Sequence, residues 1–390
     1  MMSEFEKRLS TLDESILASP VRRLLNDAGA SIINWRYQPV EGGLGGSHGV
    51  YRFQGKAKTR GQTQPWSLIL KALSPQSGSQ VPENWGYWKR EVLAYQSGLL
   101  DNLAGDLVAP QCFGIDEYDN EEYWLWLEDI VEAGPTVWPL ERFGLAARHL
   151  GQFNGAYLDE RPIPDLSWLS RDRLRKQVVY AEPGIAQLPQ LVYHPVFEGL
   201  LPGDSLDRSF KIWDARERLL MMLDQLPPVL CHQDAFRRNL MARISPEGQA
   251  QTVALDWAEL AIGVIGQEIE ILFTGSLKFV AVDIDKISLL DSLIFAGYID
   301  GLRDAGWAGD AQLVRFGFTA TAALSSLADR AIKWPNVAKR VAALPEGAEW
   351  PKLLNAGGPV QAIAKDLYFI DLGEEALSLL DTIGGLLVDS

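Results

Sequence analysis

After Val131 the residue pattern of this chain changes character. Before it, short apolar runs alternate with turns. Val50–Phe53, Trp66–Leu73, Val108–Gly114 and Glu122–Leu127 read as strands. After it, apolar residues recur at helical spacing, first over Leu140–Leu158 (Phe143, Leu145, Ala146, Leu150, Phe153) and then in long amphipathic segments broken near Leu230–Asp256. Sheets and helices bury their apolar faces in different layers, so a chain divided this way forms a small strand-rich lobe joined to a larger helical one. The expected division is 1–131 and 132–390 around one short hinge. Residues 3–30 read as one or two helices with Ile16, Leu17, Val21, Leu24 and Leu25 on a stripe. Gly55–Pro65 reads as a polar turn, and Trp85–Leu100 as a helix.

Composition narrows the classes. The 390 residues include thirteen Trp and fourteen Phe, which need burial and exclude disorder as the main state. No apolar run approaches about 18 residues, so no spanning helix is expected. Met1–Asp13 has no apolar core of the signal-peptide kind. Two cysteines, Cys112 and Cys231, have no partner at zinc-ligand spacing and read as buried thiols of a cytoplasmic protein. With 36 Lys and Arg against 51 Asp and Glu, the formal charge of −15 argues against nonspecific nucleic-acid binding and permits a cationic ligand.

The chemistry concentrates in Val229–Ala242, where an apolar lead-in runs into His232, Asp234 and Asn239 before apolar residues resume. A second carboxylate, Asp256, ends the apolar run from Thr252, and Ser245–Gly248 between them is a turn signal. Pairing as a hairpin brings Asp234, Asn239 and Asp256 to one end. A carboxylate plus an amide oxygen is the hard-oxygen set that Mg²⁺ takes when substrate phosphates supply the other ligands. A further carboxylate can orient a hydroxyl and accept its proton.

His232-x-Asp234, Asn239 five residues on, and Asp256-Trp257 resemble the catalytic and metal-binding loops of protein-kinase-like phosphotransferases. More narrowly, the pattern resembles the aminoglycoside phosphotransferase and choline kinase-like family. The resemblance implies a bilobal α+β fold with a small antiparallel-sheet N-lobe and a larger, mainly helical C-lobe. It makes Asp234 the catalytic base and Asn239 and Asp256 the ligands of Mg²⁺ bound with ATP, GTP being the alternative. Gly43, Gly45, Gly46 and Ser47 would lie in the loop covering the phosphates. Lys71 would hold the α- and β-phosphates, with Glu91 as its ion-pair partner and Glu83 as the rival. Backbone groups around Glu128 and Ile130 would meet the adenine. The partner implied is a small molecule with a hydroxyl, an aminoglycoside-like or other amine-bearing acceptor among the candidates, with no nucleic-acid or membrane partner and the oligomeric state open.

Phe236 stands where Ser/Thr protein kinases usually carry Lys, which favours a small acceptor over a protein. Glu268-Ile269 stands where many relatives have Asp-Leu, so the acid that braces the catalytic loop would do so with a longer reach. One of Arg237 and Arg238 contacts a phosphate, or both point to solvent or pair with acidic neighbours. Asp204, Asp207, Glu259 and Glu268 are the acids available to attract an amine. Two other readings compete. One is a nucleotide-binding pseudokinase with a regulatory or scaffold role, against which Lys71, Asp234, Asn239 and Asp256 are all present. The other is a metal-dependent hydrolase, which requires His232 to ligate the metal.

Overall fold

A computed structural model describes residues 4–40, 49–118, 121–194, 197, 203–279, 282–343 and 358–388. Helices α1 (Glu4–Ser10) and α2 (Glu14–Leu24) lead the chain. Asp13 caps α2 by accepting the Ser15 N–H at 2.7 Å. The strands β1 (Ser31–Pro39), β2 (Val50–Thr59) and β3 (Gln62–Leu73) follow, then α3 (Arg90–Gln96), the short β4 (Leu107–Val108), β5 (Cys112–Tyr118) and β6 (Glu122–Glu128). Five of these strands form an antiparallel sheet in the order β1-β2-β3-β6-β5.

Strand alternation divides the apolar residues of this sheet between two cores. Phe53, Leu68, Leu70, Trp124 and Trp126 pack with Leu9, Leu17 and Val21 of the leading helices. Tyr123, Leu125 and Leu127 belong to the larger core with the helices that follow.

The sequence reading of Gly55–Pro65 as a turn is incorrect. Only Arg60 and Gly61 turn, both at positive φ (47° and 81°), as a two-residue hairpin demands. The flanking residues are strand because Ala57 and Thr59 are buried between exposed Lys56, Lys58 and Arg60. The helix expected over Trp85–Leu100 is shorter, since the Gly86 carbonyl and the Trp88 N–H are spent on hydrogen bonds to Ser79 (2.7 and 3.2 Å). The single strand expected over Val108–Gly114 is interrupted at Ala109–Gln111. Val108 instead pairs in parallel with a strand of the second lobe.

That lobe contains α4 (Leu140–Gly155), α5 (Arg173–Ile185), α6 (Leu188–Leu191), α7 (Ser205–Asp214) and α8 (Arg216–Leu223). Next come β7 (Pro228–Cys231), β8 (Leu240–Ile244), β9 (Ala250–Ala254) and β10 (Ala261–Val264), then α9 (Glu268–Phe279), α10 (Ile287–Asp304), α11 (Ala311–Ala342) and α12 (Gly358–Val388). β8 and β9 form the expected hairpin around Ser245–Gln249, while β7 pairs with β10. Helix α12 is tied to α7 by Arg208, which reaches Asp371 at 2.6 Å and Glu374 at 2.7 Å. Among the described residues no helix is long and apolar enough to cross a membrane.

Helices α4 and α10 meet backbone to backbone. A Cβ on Gly301 would lie 1.9 Å from the Arg148 carbonyl oxygen, and one on Gly151 would lie 2.3 Å from that of Tyr298. Gly301→Ala must therefore push the pair apart, at a cost of about 1–3 kcal/mol. For a chain of 390 residues melting as one unit, the expected result is a melting temperature lower by about 1 °C for each kcal/mol. Unchanged melting would show that the two helices separate freely.

Candidate active site

Lys71 lies near the end of β3, between Leu70 and Ala72. Those neighbours sit in the small core, so alternation turns the lysine to the opposite face. Its ammonium is 2.5 Å from Glu91 on α3 and 2.7 Å from Asp256. Burial works against that charge, but the Asp256 and Glu91 carboxylates outweigh it and hold the ammonium above its usual pKa. Burial likewise opposes the Asp256 charge, and Lys71 overcomes it to keep the carboxyl below its usual range. Glu91 is almost fully buried, which pushes its carboxyl up against the pull of Lys71. Its other oxygen accepts the Trp257 backbone N–H at 3.3 Å. One side chain thus links the strand lysine, the helix and the turn after Asp256. Glu83, the rival, is exposed in the loop before α3.

The loop after β7 is held by its own His232 and by side chains of later elements. His232 is fully buried, its Nδ1 accepts the Asp234 N–H at 3.2 Å, and its Nε2 lies 2.9 Å from the Leu255 carbonyl oxygen. Nδ1 is therefore unprotonated and Nε2 carries the hydrogen. Burial keeps the ring neutral and pushes its pKa down to about 4. With both nitrogens occupied, His232 joins the two loops and has no lone pair for a metal, which removes the ground for the hydrolase reading. Glu268, at the start of α9, accepts the N–H groups of His232 (2.6 Å) and Gln233 (3.1 Å). Burial pushes its carboxyl up to about 7 while those two donors oppose the rise. Glu268 is thus committed to the loop backbone and not to an acceptor amine.

Gln233 and Asp256 both sit in left-handed backbone, at φ 63° and 61°. Non-glycine residues hold such conformations at a cost of about 1–3 kcal/mol each, and only where surrounding bonds enforce them. Asp234 accepts a hydrogen bond from Asn239 Nδ2 at 2.7 Å, and the same amide nitrogen donates to the Asp234 carbonyl at 3.0 Å. That orientation leaves the Asn239 Oδ1 with no donor among the described residues. Burial, with Asp256 adding repulsion, pushes the Asp234 carboxyl up to about 7, although Arg173 pulls it down.

These groups converge on a cavity of about 450 Å³ between the lobes. Lys71, Glu91, Asp234, Asn239 and Asp256 line one part of it. Val50 and Ile69 from the sheet and Met241 and Leu255 from the second lobe supply apolar walls. Tyr95 also lines the cavity. At its edge, Asp129 accepts hydrogen bonds from Arg52 (2.8 and 3.0 Å) and Ser67 (2.5 Å), which ties the inter-lobe segment to the sheet. The Glu128 side chain is turned away to Arg243, 3.3 Å distant, and to the Gln111 N–H. The Ile130 N–H makes no backbone hydrogen bond among the described residues, and Ile130 lines the cavity. The oxygens of Asp256 and Asn239, facing an open volume, fit a hard divalent cation whose other ligands come from a bound phosphate.

Gly43, Gly45, Gly46 and Ser47 lie outside the described residues. Arg237 pairs with Glu132 at 2.9 Å and stacks on Trp138, so it is held away from any phosphate; Arg238 lines the cavity. Asp204 and Asp207 are exposed on or beside α7 and line none of this cavity. Sequence reasoning passed over Arg90. This fully buried guanidinium donates to the carbonyls of Trp168 and Ala258, both at 3.0 Å, and anchors the turn after Asp256. The available signal was its place in an apolar helix face directly beside Glu91.

A family model described as a phosphotransferase enzyme family matches residues 84–286. No curated protein sequence matches the chain. Among solved structures, an amicoumacin kinase in complex with AMP-PNP and Ca²⁺ is 11% identical, with 94% of this chain and 96% of that chain covered at a TM-score of 0.51. A microcompartment-associated aminopropanol kinase is 14% identical over 94% of this chain and 98% of that chain, at a TM-score of 0.50. At such identities the likeness is one of fold.

Proposed function

Because the chain belongs to the phosphotransferase enzyme family, we propose that it is a small-molecule kinase that moves the γ-phosphoryl group of MgATP to an acceptor hydroxyl. The observation that carries this reading is the convergence of the Lys71 ammonium, held by Glu91 and Asp256, with Asp234 and Asn239 on one inter-lobe cavity. Val50, Ile69, Met241 and Leu255 suit the faces of a nucleobase, and the Ile130 N–H, which has no backbone partner among the described residues, suits one of its ring nitrogens. Lys71 binds phosphate oxygens without giving up its proton, since two carboxylates hold it charged. Asn239 and Asp256 hold the metal, which when bound neutralises charge on the triphosphate and fixes its oxygens. Asp234 takes up the acceptor hydroxyl on the side facing the phosphates and accepts its proton. Positioning and charge neutralisation carry such a transfer, with little covalent work for the protein. The AMP-PNP and Ca²⁺ bound by the amicoumacin kinase of the same fold are in keeping with this division of labour.

The direct test is ADP release from MgATP across amino alcohols, sugars, aminoglycosides and macrolides. Acceptor-dependent release with any of them supports a kinase. Nucleotide binding without release for all of them would favour the pseudokinase reading.

A pH dependence follows from Asp234. Its carboxyl is pushed up to about 7, chiefly by burial, and only the ionised form can accept a proton. The acid limb of kcat/KM for the free enzyme should therefore fall near pH 7, with rates dropping about tenfold per pH unit below it. A profile flat down to pH 5 would contradict the assignment.

A further inference from the structure

Helix α5 begins with the wrong charges. Its first turn holds Arg173, Arg175 and Lys176 and no acid, although the positive end of a helix dipole disfavours cations. Arg175 is answered by Asp224 at 2.5 Å, and Lys176 by Asp172 at 2.9 Å. Arg173 reaches elsewhere. Its Nη1 donates to the Gln233 carbonyl oxygen and, at 3.2 Å, to the Gln233 side-chain oxygen. Its Nε lies 3.8 Å from the carboxylate of Glu259, three residues beyond Asp256.

We propose that Arg173 is a positioning residue for Asp234, holding the peptide plane between Gln233 and Asp234 and tying it to the turn that follows Asp256. The inference rests on the reading of Asp234 as the proton acceptor. The geometry is specific to one peptide unit. Its carbonyl, that of Gln233, is taken by Arg173, and its N–H, that of Asp234, is taken by His232 at 3.2 Å. With both ends of the plane bonded, rotation about it is blocked, and the Asp234 Cα that it carries is fixed. The preceding N–H, that of Gln233, is held by Glu268 at 3.1 Å, so the left-handed residue is clamped on both sides. A planar fork on the longer arginine side chain can span the loop carbonyl and Glu259 together, whereas a lysine ammonium is a compact point charge without that fixed spread of donors.

The test uses Arg173→Gln and Arg173→Lys in the full chain, with two readouts. The first is hydrogen exchange in the segment 229–236. The second is ADP release from MgATP, with water or with the panel acceptor giving the fastest release. Exchange at the Gln233 and Asp234 amides should rise about tenfold in Arg173→Gln. The kcat should fall about 10- to 100-fold, while KM for ATP stays within about twofold, because a displaced base affects transfer more than nucleotide binding. Arg173→Lys should melt like the wild type and lie between the two in both readouts, so it carries the test if Arg173→Gln fails to fold. Exchange and kcat within about twofold of wild type in the folded variants would overturn the inference, as would equal losses in kcat, ATP binding and melting temperature. Full turnover in Asp234→Ala would end the reading of the base itself, whereas an inactive Asp234→Ala beside fully active Arg173 variants sinks only the role of Arg173.

Discussion

Asp234→Ala is expected to lose turnover by about 10³-fold or more while still binding ATP, since a positioned general base contributes about 10²–10⁴-fold and the same carboxylate orients the acceptor. The nucleotide contacts proposed for Lys71, Ile130 and the apolar walls do not involve Asp234. Nucleotide affinity measured by calorimetry should therefore stay within about threefold of wild type. Stability should move the other way from activity. Asp234 is a largely buried carboxyl next to Asp256, and both features push its proton affinity up. Removing it relieves that repulsion, so the melting temperature of Asp234→Ala should equal or exceed that of the wild type. Asp234→Asn keeps the shape and should be equally slow, which separates proton acceptance from packing. Turnover at the wild-type rate in either variant removes the catalytic assignment.

The loop proposed to be catalytic stands out in the sequence because the chemistry proposed for it restricts residue types at fixed spacing. His232, Asp234, Asn239 and Asp256 can be told from ordinary polar residues by the apolar runs that lead to and from them. Glu91 was legible more weakly, as an acid on a helix expected after the lysine strand, and it pairs with Lys71 in the structure. The brace from Glu268 was implied by the family resemblance, in which Glu268-Ile269 stands where many relatives have Asp-Leu. The structure adds the reason for it, two adjacent N–H groups left without strand partners where β7 ends. Other features were hidden for physical reasons. The stretch Gly55–Pro65 is polar in composition, yet its burial alternates residue by residue, so hydrophilicity masked a strand. Arg90 and Arg173 carry no motif, because each acts by donating to backbone carbonyls, and any sequence presents those. The pairing of Arg237 with Glu132 depends on two segments that meet only in three dimensions.

Asp256→Ala should show the second large effect, and its signature is dependence on the metal. The residue serves two partners at once. One oxygen is 2.7 Å from Lys71, and the carboxylate as a whole faces the cavity beside Asn239. A metal ion at a developing charge is worth several kcal/mol, so losing a ligand of this kind should cost about 10³-fold in turnover. The Mg²⁺ concentration needed for half-maximal nucleotide binding should rise by about 100-fold, the equivalent of roughly 2.7 kcal/mol. Lys71 would keep one carboxylate, Glu91 at 2.5 Å, and so would remain charged and able to hold phosphate. In the presence of a chelator, then, ATP should bind the variant and the wild type almost equally, and the difference between them should open only as Mg²⁺ is added. Two outcomes would place Asp256 outside the metal site: superimposable Mg²⁺ titrations, or an affinity loss of the same size with and without the ion. The second would show that Asp256 acts by orienting Lys71. Asp256→Asn distinguishes these further, because the amide keeps an oxygen for the cation but removes the negative charge that helps hold the ammonium, a charge that Lys71 in turn sustains against burial.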